Sequence, residues 1–215
     1  GLGDVYKRQL YYNLIEKKHH FDWPDWLPQK PLDILEVNKL YTEQLKKLRG
    51  SIDLVAGGPP CQGFSMAGRR VKDDIRNQLV FAYINFISMV MPKLILFENV
   101  KGFTYAFDKK KDPNSIPYST IVTEKLKELE YDVCPQVIDF SQFGIPQRRK
   151  RFILVGILKG KKDAAEQFIT KLWKNREQFF SENNLPEHPS IADAISDLLR
   201  SNCLLYTSDA ADDRI

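Results

Sequence analysis

The sequence predicts an α/β protein built on a mostly parallel sheet. Three observations lead there: short apolar runs that stop abruptly on Gly, Pro or a polar residue, helical stretches lying between those runs, and no internal repeat. Taken in order, Leu32-Asp33-Ile34-Leu35 reads as a first short strand. Residues 52–56 form a second, with Ile52, Leu54, Val55 and Ala56 stopped by Gly57-Gly58-Pro59-Pro60, which cannot extend a ladder. Residues 77–91 read as a helix apolar nearly all round, with Leu79, Val80, Phe81, Ile84, Phe86, Ile87 and Val90, so it is expected between the sheet and another layer. Residues 94–97 repeat the strand pattern and end on Glu98-Asn99. A polar, lysine-rich loop follows at 105–117. Residues 119–130 read as an amphipathic helix with Ile121, Leu126 and Leu129 inward, 132–138 and 152–158 as strands, and 164–180 as a last helix.

Three segments carry chemistry. Cys61 follows the Gly/Pro stop of the 52–56 strand, and in an open α/β sheet such a carboxyl end is where ligands bind. Glu98 and Asn99 end a second strand of the same design, so two neighbouring parallel strands bring Cys61 and Glu98 to one edge. Phe97 and the strand core are expected to desolvate Glu98 partly, raising its pKa and suiting it to donate a proton near neutrality. Gln147-Arg148-Arg149-Lys150-Arg151 leads into the 152–158 strand, and alternation puts Gln147, Arg149 and Arg151 on one face and Arg148 and Lys150 on the other. Each feature has an ordinary reading: a small buried cysteine, a capping carboxylate, a solvated basic run. Their common placement at strand ends makes them a candidate site.

In this order the three segments resemble the DNA (cytosine carbon-5) methyltransferase family. The motifs are Gly57-Gly-Pro-Pro-Cys-Gln-Gly-Phe-Ser65, Glu98-Asn-Val100 followed by Gly102, and Gln147-Arg-Arg-Lys-Arg151. Asp74-Ile-Arg-Asn-Gln-Leu79 and Leu32-Asp33-Ile34 add to it, and the likeness runs from about Asp33 to Leu198. It implies a Rossmann-like S-adenosylmethionine-dependent methyltransferase fold with one reversed strand near the end. It further implies that Cys61 adds as thiolate to carbon 6 of cytosine, that Glu98 protonates ring nitrogen 3, that Arg151 holds the exocyclic oxygen, and that Arg149 braces the loop or the thiolate region. Asn99 and Gln147 would support the site. Asp33, Ile34, Pro60 and Leu79 would contact the cofactor's adenine side, and Gln62, Ser65, Arg69 and Arg70 would grip the target strand, whose base must be flipped out to be reached.

Composition narrows the setting. The chain has 215 residues, enough for one sizeable core, and a net charge of +4, which fits a nucleic-acid partner without requiring one. No apolar run is long enough to span a membrane and no leader pattern opens the sequence. Cys61, Cys134 and Cys203 show neither metal-ligand spacing nor an even disulfide set, and His19-His20 lack partners at ligand spacing, so a reducing cytoplasm and no metal are expected. The expected partner is a DNA duplex carrying a target cytosine, with a cognate restriction endonuclease in the same system and a monomeric enzyme.

Departures from the family matter too. No Phe-x-Gly-x-Gly cofactor loop is found, nor a target-recognition domain after Leu199. Residues 10–202 are therefore read as a partial catalytic domain, incomplete at both ends, with 1–9 and 203–215 as non-native ends. Such a fragment is expected to be inactive alone. Alternatives are a tRNA cytosine methyltransferase, a non-catalytic DNA-binding relative that would need neither Cys61, Glu98 nor Arg151, and a thiol hydrolase, disfavoured because His19, His20 and His188 lie away from strand ends.

Overall fold

A computed structural model describes residues 23–60, 77–106 and 115–196, together with Tyr12. Its strands are β1 (Leu54–Gly57), β2 (Leu94–Val100), β3 (Tyr131–Asp139) and β4 (Lys150–Leu158), and its helices α1 (Ile34–Leu40), α2 (Thr42–Lys47), α3 (Asn77–Val90), α4 (Tyr118–Glu128), α5 (Ala164–Lys174), α6 (Arg176–Glu182) and α7 (Ile191–Ile195). The sheet order is β1-β2-β4-β3. β1 and β2 are parallel, from Leu54 opposite Leu94 to Gly57 opposite Phe97, whereas β4 sits between β2 and β3 antiparallel to both. Three strands thus share one direction and β4 alone is reversed, as the family resemblance implies.

Three elements differ from expectation. The stretch at 32–35 is not a strand: Asp33 is the N-cap of α1, and its carboxylate accepts a hydrogen bond from the Leu35 amide at 2.7 Å. A capped helix start outweighs the short apolar pattern, because it satisfies an amide that would otherwise lack a partner. The helix expected over 164–180 is two, since Asn175 ends α5 and begins α6. α4 turns Leu126 inward and packs Leu129 against the core as expected, but buries Val122 where Ile121 was expected and leaves Ile121 half-buried.

One face of the sheet holds the main core. Ile95, Phe97, Phe152 and Leu154 pack there against Val80, Tyr83, Ile84 and Ile87 of α3 and Val122 and Leu126 of α4. Phe97 is its centre, with ring centroids 5.4 Å from Tyr83, 5.5 Å from Phe103 and 6.1 Å from Phe152. The far side of α3 places Met89 and Val90 against Leu45 of α2, which supplies the expected second layer. On the opposite sheet face, Ala165 and Ile169 of α5 cover Val155. Leu54, Leu94 and Leu96 on that face stay 52, 41 and 39 % exposed. No helix among the described residues is long and apolar enough to cross a membrane.

Candidate active site

β2 delivers its last polar residues to opposite faces, because successive side chains alternate. Asn99 points into the packed face and is 4 % exposed. Its Nδ2 donates to the Pro59 carbonyl at 3.1 Å, and its Oδ1 accepts from the Val100 amide at 2.9 Å. One amide therefore ties the end of β2 to the Gly/Pro turn that follows β1.

Glu98 points to the other face and meets Arg151. The two form an ion pair, with Arg151 Nε 2.9 Å from Glu98 Oε1 and the side chains 19 and 43 % exposed, while the Arg151 Nη1 donates to the Lys150 carbonyl at 3.0 Å. Because Val100 lies opposite Arg151 and Glu98 opposite Ile153, the pair is a diagonal neighbour contact across β2 and β4. Glu98 is partly buried, though not by Phe97, which lies on the opposite face; its carboxylate sits between Arg151 and the Gly58 backbone. Lys150 sits on the alternate face, with its Nζ 3.8 Å from Asp139, as the alternation predicts. Arg149 and Gln147 are exposed and act through their backbones, the Arg149 carbonyl accepting from the Phe140 amide and the Gln147 amide donating to the Ile145 carbonyl. The structure thus brings Glu98, Arg151, Asn99 and the Pro59–Pro60 turn together and leaves Arg149 and Gln147 at the rim. Cys61, Gln62, Ser65, Arg69 and Arg70 lie outside the described residues.

The segment carrying Arg151 is held from behind. Asp139 caps the 3-10 turn Phe140–Phe143, and the Ser141 hydroxyl holds its carboxyl below the usual range. Gly144 closes the turn at φ +71°, a left-handed conformation that favours glycine. Trp173 of α5 packs its ring 4.8 Å from Phe143 and donates from Nε1 to Gln136 Oε1 at 3.3 Å. Cys134 on β3 belongs to this support: burial pushes its thiol up, which makes it a poor nucleophile at neutral pH.

A cleft of about 610 Å³ opens at the carboxyl end of β1. Ile34, Pro60 and Leu79 line it, whereas the Asp33 carboxylate is turned to the Leu35 amide at the α1 cap. Val37, Tyr83 and Phe86 also line it and were not anticipated. The signal existed: Leu79, Tyr83 and Phe86 recur four and three residues apart, one face of a helix. Apart from the Tyr83 hydroxyl the lining side chains are apolar, a chemistry that fits the flat adenine of S-adenosylmethionine but offers no charged partner for its methionine end. Among the described residues no group of three or more His, Cys, Asp or Glu side chains could hold a metal ion.

The C-5 cytosine-specific DNA methylase family matches residues 28–213, most of the chain and every element described above. The chain belongs to this family. It is 39 % identical over 124 residues to the type II methyltransferase M.XorII of Xanthomonas oryzae pv. oryzae, covering 55 % of this chain and 28 % of that protein. It is 31 % identical over 163 residues to the type II methyltransferase M.DdeI of Desulfomicrobium norvegicum, covering 76 % and 36 %. The S. pombe Dnmt2 methyltransferase structure aligns with a TM-score of 0.46 and 21 % identity, covering 74 % of this chain and 42 % of that one. The family member described here thus spans about a third of the length of the two curated relatives.

Proposed function

We propose that this chain is the nucleophile-bearing part of a DNA cytosine carbon-5 methyltransferase that works through a covalent Cys61 adduct to a flipped-out base. The observation that carries the reading is the Glu98–Arg151 pair at the ends of β2 and β4, beside a turn that Asn99 fixes just before Cys61. Carbon 5 of cytosine is too weak a nucleophile to be methylated directly, so the ring must first be activated. The Cys61 thiolate adds to carbon 6, and Glu98 supplies the proton that ring nitrogen 3 takes up, so negative charge does not build up in the ring. Arg151, already bound to Glu98, presents its remaining guanidinium donors to the exocyclic oxygen and keeps the carboxyl oriented. When bound in the apolar cleft, S-adenosylmethionine supplies the methyl group. Ile34, Leu79 and Pro60 hold the adenine side by apolar contact and exclude water from it. As carbon 5 takes the methyl group, ring nitrogen 3 returns its proton to the Glu98 carboxylate; a base then takes the carbon-5 proton, and the electron pair of that bond expels the thiolate and frees the methylated base.

Gln62, Ser65, Arg69 and Arg70 follow the nucleophile and suit phosphate contact with a DNA duplex, with Arg149 at the rim beside them in function. The type II relatives support a restriction–modification setting; a cognate endonuclease as partner and a cytoplasmic location are part of the same proposal. A duplex carrying 5-fluorocytosine, incubated with S-adenosylmethionine and the full coding sequence of the protein, is expected to give a denaturation-resistant adduct. Cys61→Ala should abolish the adduct. Trapping that survives the substitution removes Cys61 from the mechanism.

A further inference from the structure

Gly57 and Gly58 stand together in the turn after β1, and neither has the left-handed φ that would call for glycine. Space, not backbone freedom, is what they supply. A Cβ on Gly57 would be driven into the Tyr83 ring, 3.0 Å from Cδ2 and closer still to Cε2. A Cβ on Gly58 would lie 2.9 Å from Glu98 Oε2 and 3.9 Å from Glu98 Cβ. The two missing side chains thus serve different neighbours, one from the helix layer and one from the next strand.

Tyr83 is well placed to set the height of this turn. It is 5 % exposed, its hydroxyl lies 3.4 Å from the Val55 carbonyl, and its ring stands edge-on to Phe97, the residue before Glu98. Burial keeps its phenol protonated far above the usual range, so the hydroxyl is a donor at every working pH. The same ring lines the apolar cleft. A single side chain therefore touches the end of β1, the core beneath β2 and the wall of the cleft.

We infer that Gly57-Gly58 form a two-sided seat, with the Tyr83 ring under Gly57 and the Glu98 carboxylate over Gly58, so that Tyr83 and Gly58 are positioning residues for Glu98. Tyr83 acts from α3 through the turn, and Gly58 acts by leaving the room in which the carboxylate can meet Arg151. An alanine at Gly58 pushes the carboxylate off its place while changing nothing in the core. The catalytic meaning of the seat rests on the proposed methyltransferase reading, but its geometry does not.

The test uses that independence. The Arg151 Nε–H resonance of the chain reports its ion pair with Glu98, and its exchange with solvent can be followed by NMR. Gly58→Ala is expected to speed that exchange by about threefold to fivefold, the loss of one half-exposed ion pair, with the melting temperature little changed. Gly57→Ala and Tyr83→Leu should each perturb the same resonance, and the Gly57→Ala/Tyr83→Leu double variant should recover part of the loss, because the new methyl group fills the space the ring vacates. Tyr83→Phe, which keeps the ring, should stay near wild type. An Arg151 resonance unmoved by Gly58→Ala overturns the inference. So does a double variant no better than the sum of its parts, which decides the matter even if Gly58→Ala fails to fold. Absence of 5-fluorocytosine trapping with a responsive Arg151 resonance would remove the methyltransferase reading and leave the seat standing.

Discussion

The two faces of the sheet are built for different purposes. One is covered by α3 and α4 and holds a continuous aromatic and aliphatic core around Phe97. The other carries α5 over β3 and β4 and leaves Leu54, Leu94 and Leu96 largely open. Along β2 the alternation hands Phe97 and Asn99 to the first face and Glu98 to the second. Adjacent residues of one strand therefore part company: Phe97 and Asn99 fix the strand end, and Glu98 is left half-exposed beside Arg151.

Substitutions can break this division, and the largest effect belongs to Phe97. Phe97→Ala empties the centre of the core and is expected to cost about 3–5 kcal/mol, read from chemical denaturation. A loss under about 1 kcal/mol would mean that the packed face does not carry the stability assigned to it. Asn99→Ala removes two hydrogen bonds from a buried position and leaves the Pro59 carbonyl without its donor, for a loss of about 1–3 kcal/mol. Hydrogen exchange should show the Pro59–Pro60 turn loosening before the sheet does. Glu98→Gln sharpens the contrast. With the carboxylate 43 % exposed, its pair with Arg151 contributes about 1 kcal/mol or less to stability, yet turnover of the full enzyme should fall on the order of 100-fold or more. Unfolding of Glu98→Gln at a much lower denaturant concentration would assign Glu98 to the scaffold.

Much of this division was legible in the sequence, and the parts that were not share a cause. The apolar runs at 52–56 and 94–97 revealed two parallel strands, and the Gly/Pro stop and Glu98-Asn99 marked their carboxyl ends. Arg151 as opposite in face to Lys150 followed from strand alternation, whereas Asn99 as a support was implied only by the family resemblance. Leu32-Asp33-Ile34-Leu35 misled because four residues fit a strand as well as a capped first turn, and only the Asp33 carboxylate decides. The break at Asn175 carries no Gly or Pro to announce it. The Glu98–Arg151 ion pair was not legible, because a strand's sequence does not say which residue of a distant strand will lie diagonal to it. Tyr83 passed for an ordinary core residue, since nothing in a helix reveals that the turn it will meet lacks side chains.

The reversed strand has a consequence for how the chain is assembled. Among the described residues β4 is the last strand, yet β2 and β3 make no ladder with each other and are joined only through it. Its pairing with β2 links Leu94 to Ile157, a closure that must await synthesis of nearly everything between. A nascent chain halted before Lys150 would hold β1–β2 and β3 as two pieces with an empty slot between them, its apolar walls and unpaired amides open to any other strand. Arrival of β4 fills that slot and, in the same step, brings Arg151 to Glu98. Completion of the sheet and formation of the ion pair are one event.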